Sequence, residues 1–592
     1  MQGCLTSTIN NRRRGALVRV DEMNKVEQIL FDIMALGLVL FYSYSAVISP
    51  AATQYHRGIY VIVTYVLVFL LYRSTGRIGR SFDFVLILGS IITLGYWIVN
   101  FEVINYRAGA ETELDKWMAM VGVLIGIEVA RRVVGIVFVI MGTIMILYGI
   151  FGDYLPELIA HAGDTFPDLC TSIFYKSDGV FGIMANVLAT YIILFVFFGA
   201  FLEKSGAQRF FIDLPLAAVG HKIGGPGKVA VIASGLFGSI SGSAIANTVS
   251  TGAFTIPMMK KAGFEKHVAG GIEPAASIGG MFMPPIMGAG GFIMAEMTGL
   301  PYSQIMLVAI FPALMYFFSV FMMVHYYAKK NNIVGEKSDQ SASEIFKKEW
   351  YYILPLLMIT VLMLMGFSPG YSAILGIVTC IVVSWFNKET RIDARGFVRA
   401  SRAGAEASLK IGATVGVIGI IIGVLTYSGL ILTFADIVIE LADGKLYWTI
   451  LLIALASLVL GMGVPVTAAY LITAVVAVPA LTHLGVNLLA AHMIVYWLSQ
   501  DSNITPPVCI AAFAGATIAK ANMWATAWIA FKFAKFLYLA PFIFGYVPAF
   551  SLDGSATDIL ITFVLVFFAT WAYSWFLSGI WMKRKLQASA GE

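Results

Sequence analysis

Apolar residues run in long blocks along this chain: Ile29 to Ile48, Ile59 to Tyr72, Phe82 to Val99, Val133 to Phe151 and, near the far end, Phe563 to Trp581. A helix needs about 20 such residues to cross a bilayer, and roughly fifteen blocks of this kind follow one another, some interrupted. Strands could cross only as a closed barrel of alternating segments, and these blocks do not alternate. The pattern predicts an all-α, polytopic integral membrane protein whose first partner is the lipid bilayer.

Composition agrees with the pattern. Of 592 residues 59% are hydrophobic and 12% charged, against about 45–50% and 25% in soluble chains. The net charge of +5 does not point to nucleic acid, because the basic residues sit beside the apolar blocks rather than on one soluble face. Cys4, Cys170, Cys380 and Cys509 show no paired spacing, so neither a disulfide framework nor a zinc site is indicated. Residues 1–24 are polar and basic, with Arg12, Arg13, Arg14 and Arg19, and do not read as a secretory signal; Met23 is an alternative start that mass spectrometry of the N-terminus would test.

Charge also orients the blocks. The basic N-terminus, "RSTGRIGR" (73–80), the segments 328–350 and 386–410, and the terminal "KRK" (583–585) all belong to the cytoplasmic side by the positive-inside rule. The segment after Val99 carries Glu102, Glu111, Glu113 and Asp115 and suits the outer side. Arg131 and Arg132 in "EVARRVV" fall where two helical runs meet, which suits an interfacial anchor or a cytoplasmic turn, with a pore-lining role as the alternative. A boundary is expected near residue 155, where "GDYLPELIAHAGDTFPD" is polar and proline-bearing.

Two Pro-Pro pairs, Pro284-Pro285 and Pro506-Pro507, stand 222 positions apart (284 to 506). The same offset aligns Pro257 with Pro479, Gly263 with Gly485, Thr251 with Thr473 and Ser277 with Ser499. Upstream, "GSISGSAIAN" faces "GMGVPVTAAY" with one residue of slippage. The first copy ends its hairpin on "MMKKAG" and the second on "ALTHLG", which has no lysine or arginine. The positive-inside rule puts the first base in the cytoplasm and the second outside, and equivalent segments on opposite sides predict an inverted repeat, the plan of many secondary transporters, which bind cargo at broken helices near the midplane. Gly238, Gly242, Gly279, Gly280, Gly461, Gly463, Pro465 and the proline pairs are the expected breaks.

Polar residues gather at those breaks. Ser241, Ser243, Asn247 and Thr248 offer neutral oxygens in the first copy, and Asp501, Ser502, Asn503 and Thr505 in the second. Oxygen side chains and freed carbonyls suit a small hard cation such as sodium. The competing reading is close packing by small residues, as in "GATVGVIGIIIG" (412–423) with its GxxxG spacing. Asp501 could be a cation ligand or a proton carrier; Glu273 and Glu296 could touch transport chemistry or sit at helix ends; His267 and His483 read as surface groups. No Walker A loop and no HExxH motif occur, and the GxSxG letters of "GFSPG" (366–370) lie in a turn between spans. Enzyme chemistry is not expected.

The hairpin stretches "GSISGSAIANTVSTGAFTIPMMKKAGF" and "GMGVPVTAAYLITAVVAVPALTHLGV" resemble the large membrane subunit of tripartite ATP-independent periplasmic (TRAP) transporters, and "EVARRVVG" after a short multi-span part resembles the fused small-plus-large permeases that work with TAXI-type receptors. The resemblance implies an inverted-repeat, elevator-type fold with two re-entrant hairpins and a fused N-terminal four-helix scaffold. It implies sodium-driven uptake of a small organic anion delivered by a periplasmic TAXI-type substrate-binding protein. It divides the chain into a cytoplasmic tail (1–25), small-subunit-like scaffold helices (26–155), a connector (156–190), a first inverted repeat (191–327), basic cytoplasmic loops and central helices (328–410), a second inverted repeat (411–545), and a C-terminal helix with basic tail (546–592). The sodium residues it implies are Ser241, Ser243, Asn247, Gly279 and Pro284 in the first half, and Gly463, Thr467, Asp501, Ser502, Asn503 and Thr505 in the second. A receptor-independent or proton-coupled anion symporter and a non-transporting scaffold subunit are the alternatives.

Overall fold

The computed structural model describes residues 16–17, 20–338 and 340–579; the expected cytoplasmic tail up to residue 15, with Arg12, Arg13, Arg14 and Cys4, and also Arg19 and the terminal "KRK", lie outside the described residues. The architecture is helical. Among the described residues β-structure is confined to the two-residue pair Ala16–Leu17 with Tyr72–Arg73 and one bridge between Ile223 and Val334. Nine helices among them are long and apolar enough to cross a membrane, fewer than the apolar blocks suggest, because glycine and proline divide several blocks.

Before residue 155 stand α1 (Lys25–Val47), α2 (Thr53–Leu71), α3 (Gly76–Val99), α4 (Glu113–Val133) and α5 (Ile136–Ile150). With the six-residue helix Phe101–Tyr106 between α3 and α4, six helices stand where four are expected. Gly135 (φ 120°) separates α4 from α5, since only glycine takes that backbone conformation readily. Arg132 does not line a pore: its side chain, 1% exposed, pairs with Asp83 at 2.6 Å and Glu128 at 2.7 Å and donates to the Tyr72 carbonyl. A buried cation needs such partners, and here they tie α4 to α3 and to the end of α2.

The remainder holds α6 (Phe166–Tyr175), α7 (Ile183–Lys204, with a π turn at Leu188–Ile192), α8 (Ala207–Val219), α9 (Gly225–Ser241), α10 (Ala244–Lys261), α11 (Lys266–Gly279), α12 (Gly290–Thr298) and α13 (Tyr302–Lys330). After α14 (Leu354–Leu364), α15 (Pro369–Ser384) and α16 (Ala394–Gly412) come α17 (Val415–Ser428), α18 (Leu430–Leu441), α19 (Leu446–Leu460), α20 (Val466–His483), α21 (Leu488–Leu498), α22 (Ile510–Ala519), α23 (Met523–Phe533), α24 (Phe536–Tyr546) and α25 (Ala556–Ser578). The offset of 222 carries α10 onto α20 residue for residue, and α8, α9, α11 and α12 onto α18, α19, α21 and α22 within a few residues. It also pairs two left-handed backbones, Met287 (φ 57°) with Cys509 (φ 47°), and two hairpin-base glycines, Gly263 (φ 102°) with Gly485 (φ 85°).

The two hairpin bases lie at opposite ends of the bundle. Phe311 stacks on Phe563 and Phe318 on Phe567, so α13 and α25 run in parallel. The base of the first hairpin meets the C-terminal end of α13, where Phe264 stacks on Tyr327 and Lys261 pairs with Glu336 at 2.8 Å. The base of the second meets the start of α25, where Asn487 donates to Asp553 at 3.1 Å. A helix of 29 residues at about 1.5 Å each separates those ends by roughly 43 Å.

Two glycines of α17 sit where backbones touch. A Cβ on Gly416 would stand 2.8 Å from the Gly126 Cα of α4, and one on Gly419 would stand 2.4 Å from the Val180 Cα. The small-residue spacing of this stretch therefore serves packing, as the GxxxG reading proposed.

Candidate functional site

The first hairpin turns where α9 ends. Gly242 takes a left-handed conformation (φ 62°), and Ser243 caps α10 by accepting from the Ala246 N–H at 3.3 Å. Gly238, expected as a break, lies inside α9; its missing side chain admits the second helix break instead. A Cβ on Gly280 would stand 2.4 Å from the Gly238 Cα, and one on Gly242 would stand 3.3 Å from the Gly288 Cα. Tip and break of the first half thus meet backbone to backbone. Between α11 and α12 residues 280–289 are irregular, and both Pro284–Pro285 and Pro506–Pro507 are cis.

The second half repeats the arrangement with different chemistry. Gly463 (φ 77°) and Pro465 form the turn before α20, and a Cβ on Gly461 would stand 2.6 Å from the Ser502 Oγ of the facing break. At each break two helices end and two begin, so free carbonyls and free N–H groups converge. Carbonyl ends favour cations and N–H ends favour anions.

The predicted residues occupy these meeting points. Asn247 is fully buried; its Nδ2 donates to the Ser234 carbonyl at 3.0 Å while Oδ1 has no hydrogen-bond partner. The Oγ of Ser241 and the Oγ1 of Thr467 are also buried without a partner. Asp501 is 4% exposed and its Oδ1 is unpartnered. Asn503 Nδ2 donates to the Gln500 carbonyl at 3.2 Å, and the Thr505 and Tyr538 hydroxyls meet at 2.6 Å. Ser502 is buried against the tip glycine, Gly279 closes α11, and Pro284 is half-buried. Gly463 is exposed on the tip, nearer to Val137 of α5 than to the second break residues, so it can contribute only backbone.

Buried polar atoms are nearly always hydrogen-bonded. Orphaned oxygens at two broken helices are the kind of donor a small hard cation satisfies.

Several residues at the site are not legible in the sequence pattern. Gln500 is fully buried with both Oε1 and Nε2 unpartnered, directly before Asp501. A glutamine closing an apolar helix was the available signal. Tyr496, from the second half, reaches the Met281 carbonyl at 2.7 Å and the Met287 carbonyl at 2.5 Å, and Tyr302 reaches those of Pro285 and Ile286; these hydroxyls hold the irregular first break in place. Glu296 accepts from Asn186 at 2.7 Å, and Asn186 accepts from Arg57 of α2 at 3.1 Å, so it serves a contact with the N-terminal helices. His267 is half-buried beside Glu265 and His483 is exposed, as expected of groups near the hairpin bases.

Residues 121–550 match the family described as "Tripartite ATP-independent periplasmic transporter, DctM component". Among curated relatives, the 2,3-diketo-L-gulonate TRAP transporter large permease protein of Escherichia coli is 29% identical over 180 residues, covering 30% of this chain and 40% of that protein. The sialic acid TRAP transporter permease protein of Haemophilus influenzae is 23% identical over 335 residues (55% and 52%), and the C4-dicarboxylate TRAP transporter large permease protein of Pseudomonas aeruginosa is 23% identical over 363 residues (60% and 84%). The chain thus spans about half or less of the first two. Among solved structures, the YdaH transporter of Alcanivorax borkumensis aligns with a TM-score of 0.45 at 14% identity, covering 70% of this chain and 98% of that one. Matched over well over half its length, the chain belongs to the DctM-component family of TRAP transporters, membrane permeases rather than enzymes.

Proposed function

We propose that this permease couples inward sodium movement to the uptake of a small organic acid handed over by a periplasmic substrate-binding protein of the TAXI type. The observation that carries the reading is the set of buried, unpartnered side-chain atoms at the two helix breaks: Ser241 Oγ, Asn247 Oδ1, Thr467 Oγ1, Asp501 Oδ1 and both ends of the Gln500 amide. One sodium ion would be held by Ser241, Ser243 and Asn247 with backbone carbonyls near Gly279 and Pro284. A second would be held by Thr467, Asp501, Ser502, Asn503 and Thr505 with the Gly463 backbone, and Gln500 belongs to the same place.

The named cargoes of the three relatives, sialic acid, C4-dicarboxylates and 2,3-diketo-L-gulonate, all carry carboxylate groups. Helix N-termini at both breaks would receive such a group without a buried arginine. Each positive charge moved inward through 100 mV gains about 2.3 kcal/mol, so sodium accompanying an anion supplies the drive. In the same reading the N-terminal helices act as the small-subunit-like scaffold, the hairpin halves move against it as an elevator, and both termini are cytoplasmic.

The test is uptake into proteoliposomes holding this chain with its receptor, across dicarboxylates, oxoacids, amino acids and sugar acids. Accumulation driven by a sodium gradient and abolished by choline replacement is the expected result. Uptake indifferent to sodium and driven by a pH gradient would overturn the reading in favour of proton coupling.

A further inference from the structure

Glu273 lies on α11 with no exposed surface. Hydroxyls from two other helices close on its carboxyl: Ser234 of α9 donates to Oε1 at 2.6 Å, Thr251 of α10 donates to Oε1, and Thr255 of α10 donates to Oε2. Ser277, one turn further along α11, is fully buried, and its Oγ has no hydrogen-bond partner. Among the described residues its partners are hydroxyls alone, with no cation. A buried carboxyl on three hydroxyl-bearing helices joins those helices more rigidly than apolar packing does, because hydrogen bonds fix direction as well as distance.

The same hydroxyl residues hold Asn247. The Asn247 Nδ2 donates to the carbonyl of Ser234, and the hydroxyl of Thr251 lies 2.7 Å from the carbonyl of Asn247. Ser234 and Thr251 therefore each face Glu273 with a hydroxyl; Ser234 meets the Asn247 amide through its main-chain carbonyl, and the Thr251 hydroxyl lies beside the main-chain carbonyl of Asn247 one turn back on α10. With Nδ2 committed to Ser234, the orientation of the amide is set and Oδ1 is the atom left over.

The second half shows what the fold does without this carboxyl. The offset of 222 converts Ser234, Thr255 and Glu273 into Ala456, Ala477 and Val495, and Asn247 into Ala469. Of the three residues that bond the carboxyl, only Thr251 keeps its type, as Thr473, whose Oγ1 has no partner and which lines an apolar cavity of about 170 Å³ with Ala456 and Ala477. A hairpin of the same length and register forms there without a carboxyl, so the hairpin itself does not require one. Glu273 and Asn247 occur together in the first half, and at the equivalent positions of the second half both are apolar, Val495 and Ala469.

We propose that Glu273 is a positioning residue for the cation-binding amide of Asn247, acting through Ser234 and Thr251. The proposal rests on the reading of Asn247 as a sodium ligand. It specifies what a substitution must preserve. In Glu273→Gln the amide oxygen still accepts from Ser234 and Thr251, while its NH2 donates to Thr255, whose hydroxyl then turns to the Thr251 carbonyl, 3.1 Å away. In Glu273→Ala nothing replaces either contact.

The experiment measures, in receptor-supplied proteoliposomes, the sodium concentration for half-maximal uptake and, at saturating sodium, the substrate concentration for half-maximal uptake. Glu273→Ala is expected to raise the sodium value about tenfold or more and to leave the substrate value within about twofold, while Glu273→Gln stays within about threefold of wild type on both. The double variant Asn247→Ala with Glu273→Ala should be no worse for sodium than Asn247→Ala alone, because both act on one contact. Should Glu273→Ala fail to fold, Thr251→Val removes the shared hydroxyl at nearly constant volume and carries the same expectation. Additive losses in the double variant, or an unchanged sodium value in both Glu273→Ala and Thr251→Val beside a sodium-activated wild type, overturn the positioning role alone. A wild type without sodium activation overturns the sodium reading and this role with it.

Discussion

Asp501→Asn separates the two contributions a buried carboxylate makes. Asparagine keeps the shape of aspartate, so packing at this 4% exposed position is preserved; what changes is one charge. An ionised side chain at a helix centre costs about 2.5–3.5 kcal/mol by insertion scales, and Asp501 has no ion pair among the described residues to offset it. Without sodium, the variant should therefore be no less stable than wild type. With sodium, a unit charge 4 Å away in a medium of effective dielectric 20 contributes about 4 kcal/mol, or roughly a thousandfold in affinity. At a sodium concentration 100 times the wild-type dissociation constant, binding stabilises the fold by about 2.7 kcal/mol. After a thousandfold loss the same concentration is a tenth of the new constant, and the stabilisation falls below about 0.1 kcal/mol. Thermal unfolding followed by tryptophan fluorescence, in sodium chloride against choline chloride, reads both signs at once. Asp501→Asn that retains the wild-type sodium shift, or that is less stable than wild type in choline, would refute the assignment.

Two further outcomes test the geometry. Gly280→Ala places a methyl group 2.4 Å from the Gly238 Cα and 2.5 Å from its carbonyl carbon, contacts that only backbone movement can relieve; overpacking of this kind costs about 1–3 kcal/mol, so the melting temperature and uptake should both drop, while Gly95→Ala, which meets nothing within 4 Å, leaves both unchanged. Single cysteines replacing Lys261 and His483 should react with impermeant maleimide from opposite faces of sealed vesicles, and labelling of both from one face would dismiss the inverted arrangement.

The doubling of the core was legible because two proline pairs share an offset that also aligns the glycines of the hairpin bases, and the fold keeps that register through α10 and α20. Opposed hairpin ends were legible from Lys260 and Lys261 in one copy and their lack in the other. Apolar blocks overstated the number of long helices, because hydrophobicity reports the solvent and not the backbone: the block from Val133 to Phe151 loses its start at Gly135 and yields a helix of only 15 residues. Gly238 was misread for a related reason, since a glycine that breaks a helix and one that admits a neighbour look alike in sequence. The enclosure of Glu273 could not be read at all. Its hydroxyl partners lie 18 to 39 residues away on two other helices, a separation that no local period records.

The glycines of α17 have one more implication. Where main chains touch at Gly126 with Gly416 and at Val180 with Gly419, no flexible side chain intervenes to ride over its neighbour, and the Asp32–Arg402 bridge at 2.7 Å pins the adjoining segment. A seam of that kind acts as a weld rather than a bearing. The N-terminal helices and α17 therefore form one frame, and under the elevator motion proposed above the sliding surface must lie elsewhere.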